Sequence, residues 1–124
     1  MATILIVEDN PSNMLLATFL LEHAGHQVLQ ADEAEAALRL ARERLPDLIL
    51  MDVQLPGMDG LEATGALKGD ARTGAIKVLA FTSFAMTGDA ERIRAAGCDG
   101  YISKPISVDE FVALVEAALA EKTR

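Results

Sequence analysis

Residues 4–25 read ILIVEDNPSNMLLATFLLEHAG and contain one complete strand-and-helix unit. The run Ile4–Val7 is continuously apolar, which is typical of a strand buried on both faces of a parallel sheet. Asn10 followed by Pro11 is an N-cap with proline at the first helical position, so a helix is predicted to begin there and to end at Gly25. The stretch therefore predicts a buried strand that leads through a short acidic turn into a helix.

The same alternation continues to the end of the chain. Further apolar or β-branched runs that predict strands are Val28–Ala31, Leu48–Met51, Val78–Phe81 and Tyr101–Ile102. The segments between and after these strands that predict helices are Ala36–Leu40, Leu61–Leu67, Gly88–Ala96 and Val108–Leu119. Five strands that alternate with five helices imply right-handed parallel crossovers, which cover both faces of one sheet. We expect a doubly wound α/β fold, with residues 1–124 forming a single domain.

Two of these helices are predicted to begin at a capping box, in which the N-cap side chain and the third helical residue bond each other's backbone N–H groups. Asp32 with Glu35 has this spacing, and so does Ser107 with Glu110. We therefore expect the second helix to begin just after Asp32 and the fifth just after Ser107.

The composition is that of an ordinary globular domain: 51% of the 124 residues are hydrophobic, and there is one cysteine. One cysteine cannot form an intrachain disulfide, which favours a reducing compartment. No apolar run approaches the ~18 residues that a membrane span needs. The first seven residues lack the basic region and cleavage site of a signal peptide. These features predict a cytoplasmic protein that is neither secreted nor inserted in a membrane.

The charge is strongly acidic, with 11 Lys and Arg against 19 Asp and Glu and a net charge of −8. Nucleic-acid binding draws on the release of counterions by basic side chains, so a role on DNA or RNA is not expected. No Lys or Arg occurs before Arg39. The first third of the chain therefore needs cations from elsewhere.

Polar residues follow several of the predicted strands, at the sheet edge where doubly wound folds bind ligands. Glu8 and Asp9 follow the first strand, Asp52 the third, Thr82 the fourth and Lys104 the fifth. Each position alone is an ordinary turn residue. Three carboxylates at one edge repel each other, however, and a single lysine does not balance them. Carboxylate oxygens without a Cys or His cluster predict Mg²⁺ as the cation.

At this point the sequence resembles a known family, the receiver domain of bacterial two-component response regulators. The resemblance is carried by residues 4–10 (ILIVEDN), residues 48–60 (LILMDVQLPGMDG), Thr82 with Ser83, and residues 101–105 (YISKP). Four such fragments in order at strand ends are a specific signal. Residues 84–89 and 96–98 look most like single-domain receivers of the cell-cycle and cell-division type, and also like receivers attached to hybrid histidine kinases.

The resemblance implies a flavodoxin-like sheet with strand order 2-1-3-4-5. It implies that Asp52 is phosphorylated by a phosphohistidine donor, either a histidine kinase or a histidine phosphotransfer protein. Thr82 and Lys104 would each bind one phosphoryl oxygen. Such a domain is a signalling module and not an enzyme with an external substrate, since it catalyses at most its own phosphorylation and dephosphorylation.

The resemblance also implies a Mg²⁺ site beside the phosphorylated residue. Asp9 would bind the metal directly, Glu8 directly or through water, Asp52 would share it, and the backbone carbonyl of Gln54 would complete the protein ligands. The family most often has two aspartates where this chain has Glu8 and Asp9. The Lys104–Pro105 peptide bond is expected to be cis.

Two surfaces for partners are also expected. Helix one begins beside the site, so its predicted exposed positions and the loop after Lys104 are expected to meet the donor; these residues are Asn13, Met14, Ala17, Pro105 and Ile106. Phosphorylation is expected to draw Thr82 inward and to let the Tyr101 ring turn. The surface of the fourth helix, fifth strand and fifth helix would then bind a downstream protein.

Three alternatives are weighed against this interpretation. A flavodoxin-like nucleotide binder needs backbone N–H groups at a small-residue phosphate loop, whereas residues 8–11 are acidic and include a proline. A Mg²⁺-dependent phosphatase of the haloacid dehalogenase type needs a second aspartate two residues after the nucleophile, where this chain has Gln54. A receiver cut from a hybrid histidine kinase stays open, and a stand-alone receiver is the expectation.

Overall fold

A computed structural model describes residues 2–55, 57–82 and 87–120 of the chain, with five strands and five helices in strict alternation. The strands are β1 (Thr3–Val7), β2 (Gln27–Ala31), β3 (Leu48–Asp52), β4 (Lys77–Thr82) and β5 (Gly100–Ser103). The helices are α1 (Pro11–His23), α2 (Ala34–Arg44), α3 (Gly60–Lys68), α4 (Thr87–Ala95) and α5 (Val108–Ala120). The predicted alternation is confirmed, with boundaries that differ by a few residues. Within the described ranges no helix is both long and apolar enough to cross a membrane.

All strand pairs are parallel, and the sheet has the order β2-β1-β3-β4-β5, which confirms the predicted topology. Val7 of β1 is in register with Ala31 of β2 on one side and with Met51 of β3 on the other. The carboxyl ends of these strands therefore lie along one edge. The strand order reverses at β1, which is where a doubly wound sheet opens a crevice for ligands.

Two apolar cores cover the two faces of the sheet. Leu5, Val7 and Ile49 face the core on one side, whereas Ile4 and Ile6 belong to the core on the other. The first core includes buried residues of α2, α3 and α4, and the second includes residues of α1 and α5. Because β1 and β3 have helices on both faces, their segments Ile4–Val7 and Leu48–Met51 are continuously apolar. Each fully buried Leu or Ile contributes about 1.5–3 kcal/mol to the free energy of unfolding. The strand ends therefore extend from a well-packed core.

The helix starts follow local hydrogen bonding, with one correction. Asn10 caps α1, and its side chain accepts the Asn13 N–H at 3.1 Å. The capping box predicted at Asp32 and Glu35 is wrong, because α2 begins at Ala34 after Glu33, and no cap side chain bonds there. Asp32 thus lies one residue outside the cap position, and Glu35 falls one residue short of the third helical position.

A capping box that the sequence analysis did not predict stands at α3. The Asp59 side chain accepts the Glu62 N–H at 2.8 Å, and the Asp59 N–H donates to Glu62 Oε1 at 3.3 Å. The spacing of the two residues is the ordinary signal for this motif. The capping box fixes the start of α3 close to the end of β3. This end of β3 lies at the edge of the sheet where the predicted site residues converge.

Candidate functional site

Three carboxylates meet at the edge of the sheet where β1 and β3 end. Glu8 and Asp9 follow β1, and Asp52 is the last residue of β3, the strand paired with β1. One carboxylate oxygen from each of the three residues lies within 4.8 Å of the others. The structure thus brings together the three acidic residues that the sequence analysis singled out.

The three carboxylates differ in burial. Glu8 is 1% exposed and Asp52 is 3% exposed, whereas Asp9 is open to solvent. Glu8 Oε2 accepts the Asn10 N–H at 3.0 Å. Glu8 Oε1 is buried and, among the residues that the structure describes, accepts no hydrogen bond of good geometry. A buried carboxylate oxygen in that position is a suitable ligand for a cation.

Lys104 supplies the positive charge nearest to these acids. Its Nζ lies 2.8 Å from Glu8 Oε1 and 3.2 Å from Asp52 Oδ2, and 4.9 Å from the centre of the Phe81 ring. The Lys104 backbone N–H donates to Thr82 O at 2.7 Å, which ties the end of β5 to the end of β4. The Lys104–Pro105 peptide bond is cis, as expected. One ammonium beside three carboxylates leaves two negative charges, which fits a divalent cation.

Asp52 is held by two contacts and strongly desolvated. Its Oδ1 accepts the Gln54 N–H at 2.9 Å, and its Oδ2 faces Lys104. The pKa of Asp52 is raised to about 6, because burial and the neighbouring Glu8 raise it by more than the Gln54 N–H and Lys104 lower it. Burial is the largest of these effects. The negative charge on Asp52 is therefore costly unless a further cation balances it.

This shift predicts how pH changes stability in the metal-free protein. The pKa of Asp52 is higher in the folded chain than its ordinary value of 3.8. Its contribution to the free energy of unfolding is thus fully present below pH ~4 and is lost as pH rises through about 6. Comparison with Asp52→Asn isolates this effect, because asparagine does not titrate. With a chelator present, the stability advantage of Asp52→Asn should grow by about 2–3 kcal/mol between pH 4 and 8.

Denaturant unfolding of both proteins at several pH values measures this difference. Ionisable groups that are far from Asp52 have the same surroundings in the two proteins, so their contributions cancel in the comparison. A difference that stays constant across the range would show that Asp52 has an ordinary pKa in the folded state.

The other predicted site residues lie on or next to the strands of the sheet. Thr82 is buried at the end of β4, one residue beyond Phe81, which is in register with Asp52. Gln54 is exposed and follows Asp52 by two residues. Tyr101 lies on β5 in register with Ala80 and is 45% exposed. Ser83, which accompanies Thr82 in the sequence motif, lies outside the described residues.

The prediction for the outer face of α1 needs correction. Ala17 is completely buried in the core with Ile4 and Ile6, so the expectation that it is exposed is wrong. Asn13 and Met14 are half-buried, as is Ile106, while Pro105 is exposed. The exposed apolar residues of α1 are Leu15, Leu16 and Phe19. Apolar residues surround this helix, so periodicity alone does not show which side faces the sheet.

Gly60 packs against the strand end that carries Asp52, and the sequence analysis quoted it without assigning it a role. A Cβ atom at this position would lie 2.0 Å from the backbone oxygen of Asp52 and 3.0 Å from Met51 Cγ. The Gly60 N–H donates to Val53 O at 3.1 Å. Only glycine allows α3 to begin this close to the strand end that carries Asp52. A glycine shortly after an acidic strand end was the available signal.

Comparison with protein families gives one match that spans most of the chain. Residues 4–116 match the model described as "Response regulator receiver domain". Among curated proteins, the polar-differentiation response regulator DivK of Brucella ovis is 50% identical over 119 residues, which cover 96% of this chain and 97% of that protein.

Solved structures show the same likeness. A putative response regulator from Chloroflexus aurantiacus superposes with a TM-score of 0.92 at 30% identity, over 97% of this chain and 98% of that chain. The receiver domain of the sensor histidine kinase PA1611 from Pseudomonas aeruginosa superposes with a TM-score of 0.89 at 31% identity, over 97% and 98%. That structure is described with a magnesium ion coordinated in its active site cleft.

Proposed function

The chain belongs to the response regulator receiver domain family of two-component signalling, and from this premise we propose that it is a phosphorylated signalling domain with Asp52 as the acceptor. The phosphoryl group would come from a phosphohistidine on a histidine kinase or a histidine phosphotransfer protein. One observation carries the proposal: the buried Asp52 carboxylate lies 3.2 Å from Lys104 Nζ and beside two further carboxylates. A stand-alone receiver in the cytoplasm is the organisation we propose.

The proposed reaction is a direct transfer between two protein side chains. A carboxylate oxygen of Asp52 forms a bond to phosphorus as the phosphorus–nitrogen bond of the donor breaks, and the electron pair of that bond returns to the imidazole. A carboxylate is a weak nucleophile, so alignment and neutralisation of the phosphoryl oxygens must supply the rate. We propose that Lys104, whose Nζ lies 3.2 Å from Asp52 Oδ2, neutralises one of these oxygens, and that the Thr82 hydroxyl at the adjacent strand end binds another.

Receiver domains bind Mg²⁺ at an acidic pocket, and the residues present here fit that ion. Glu8 offers a buried carboxylate oxygen, Oε1, that contacts Lys104 Nζ at 2.8 Å but accepts no hydrogen bond of good geometry from any described residue. Asp9 and Asp52 offer oxygens within 4.8 Å of it, and the carbonyl of Gln54 is proposed as the further ligand. When bound, Mg²⁺ supplies positive charge that offsets the repulsion between the carboxylates and the incoming phosphoryl oxygens.

Two surfaces of the chain are proposed to meet protein partners. The exposed apolar ridge of α1, formed by Leu15, Leu16 and Phe19, begins in the second turn of the helix and would meet the helices of the donor together with Pro105. The α4, β5 and α5 surface, which contains Tyr101, would meet the downstream protein. Binding of a phosphoryl oxygen by Thr82 would shift the populations of the Tyr101 orientations. The free energy of this shift is limited by the difference in the affinity of the phosphoryl group for the two conformations.

Labelling with radioactive acetyl phosphate tests the proposed function. In the presence of Mg²⁺, the chain should acquire one phosphoryl group that alkali and hydroxylamine release, because an acyl phosphate is labile to both. Chelation of Mg²⁺ should abolish the labelling, and addition of Mg²⁺ should restore it. A label that is stable to hydroxylamine, or that forms equally well in chelator, would contradict the proposal.

A further inference from the structure

A cleft lies beside the acidic site, on the side of β1 that faces β2. It has a volume of about 440 Å³ and opens between the ends of β1 and β2 and the starts of α1 and α2. Side chains of Met14, Ala31 and Ala36 provide apolar lining. Carboxylates of Glu8, Asp9 and Asp32 also line it, and none of the described residues around it is Lys or Arg. The cleft therefore combines an apolar surface with negative charge.

The charges at this edge do not balance within the chain. Under the proposed function, on which this inference rests, Lys104 and a divalent cation offset the three charges of Glu8, Asp9 and Asp52. The carboxylate charge of Asp32 is not balanced, since Asp32 forms no ion pair with any residue in the described part of the chain. No Lys or Arg precedes Arg39 in the sequence, and every described residue that lines the cleft comes from this part of the chain, so the lining does not supply the missing charge.

The chemistry of the cleft fits a side chain with a long aliphatic stem and a cationic end. Arginine and lysine have this form, because their methylene groups pack on apolar surface while the charged group stays at a polar rim. Gln30 adds an acceptor at the rim: its amide nitrogen donates to Thr18 Oγ1 at 2.9 Å, which leaves the amide oxygen for a donor from outside. The volume of the cleft accommodates one such side chain.

We propose that this cleft receives an arginine or lysine side chain of the phosphohistidine donor, with Asp32 as its ion-pair partner. The donor is the occupant that the position favours. A protein that brings its histidine to Asp52 must cover Asp9, and Asp9 borders the cleft. A basic side chain near the donor histidine would then enter the cleft during transfer. The contact would select donors by charge and would lie beside the apolar ridge of α1.

Transfer kinetics with a charge-matched control test this proposal. Asp32→Asn removes the carboxylate charge with almost no change of shape. Glu43→Gln removes one charge from an exposed position at the far end of α2 and is the control. The probe is a phosphorylated histidine kinase that labels the wild-type chain. Asp32→Asn should raise the receiver concentration for half-maximal transfer about three- to fivefold, as expected for loss of one exposed ion pair, with the maximal rate within about twofold.

Salt provides a second measurement on the same proteins. Added NaCl should weaken transfer to the wild-type chain and to Glu43→Gln more than transfer to Asp32→Asn, because an exposed ion pair is screened. Nuclear magnetic resonance with n-butylguanidinium should shift signals of Met14, Ala31 and Ala36, whereas n-butanol at the same concentration should not.

The outcomes separate this proposal from the proposed function. If acetyl phosphate and every phosphorylated kinase fail to label the wild-type chain, the proposed function is wrong. If the wild-type chain is labelled but Asp32→Asn and Glu43→Gln transfer alike, only the cleft proposal is overturned. Binding of n-butylguanidinium without any effect of Asp32→Asn on transfer would instead indicate a free cationic molecule in the cleft, and would also overturn the donor assignment.

Discussion

Asp52→Asn is expected to remove all phosphoryl labelling, both from acetyl phosphate and from a phosphorylated histidine kinase. An amide nitrogen or oxygen does not form the acyl phosphate bond, and Glu8, which is also buried beside Lys104, is proposed as a metal ligand and not as an acceptor. The fold should persist, because asparagine has the shape of aspartate and removes a charge that burial disfavours. Circular dichroism and denaturant unfolding show whether the variant is folded.

Asp109→Asn is a suitable control for this loss. Asp109 is exposed in the first turn of α5. Among the predicted site residues, only those in β5 and in the loop after it are close to Asp109 in the sequence. The control should label at the wild-type rate. If a folded Asp52→Asn protein still carries hydroxylamine-labile label, the acceptor is another residue, and peptide mapping of the label would identify it.

Gly60→Ala is expected to give the largest loss of stability of any single methyl added at the site. The new Cβ would lie 2.0 Å from the Asp52 backbone oxygen and 2.8 Å from the Asp52 backbone carbon, distances at which backbone must move. Overpacking of this kind costs about 3 kcal/mol or more, because neither β3 nor the start of α3 is free to shift. Any folded population should also label poorly, since the displaced atoms belong to Asp52 itself.

Gly65→Ala provides a control of opposite sign in the same helix. A Cβ atom at Gly65 would meet no atom within 4 Å, and the residue lies in the interior of α3. Replacement of an exposed helical glycine by alanine stabilises a helix by about 1 kcal/mol. Thermal unfolding of the two variants should therefore show shifts in opposite directions. A Gly60→Ala protein as stable as Gly65→Ala would show that α3 does not pack closely on the end of β3.

Several features of the fold could be predicted from the sequence because their causes are local. A continuous apolar run is sufficient to indicate a strand that is buried on both faces, and Asn10 with Pro11 is sufficient to begin α1. Parallel strands end at one edge, so the residues that follow them converge there whatever their distance along the chain. This rule was enough to group Glu8, Asp9 and Asp52 with Lys104.

Other features depend on contacts between distant segments, which the sequence does not show. Ala17 and Leu15 are both apolar residues of one helix, yet Ala17 is buried and Leu15 is 71% exposed. Only the packing of α1 on the sheet separates them, because apolar residues surround this helix. The start of α2 shows the same limit: Asp32 satisfies a capping pattern, but the path of the chain after β2 places the helix start one residue later.

By itself, the sequence determined the fold class, the acidic character of the sheet edge and the family to which the chain is similar, since these follow from residue types and local spacing. Only the tertiary structure decided that Glu8 is buried while its neighbour Asp9 is exposed, and that the pKa of Asp52 rises to about 6. It also decided that Gly60 packs against the Asp52 backbone and that a cleft opens beside Asp32. The physical reason is that burial, desolvation and close packing are properties of surfaces brought together by folding, and each depends on atoms far away in the chain.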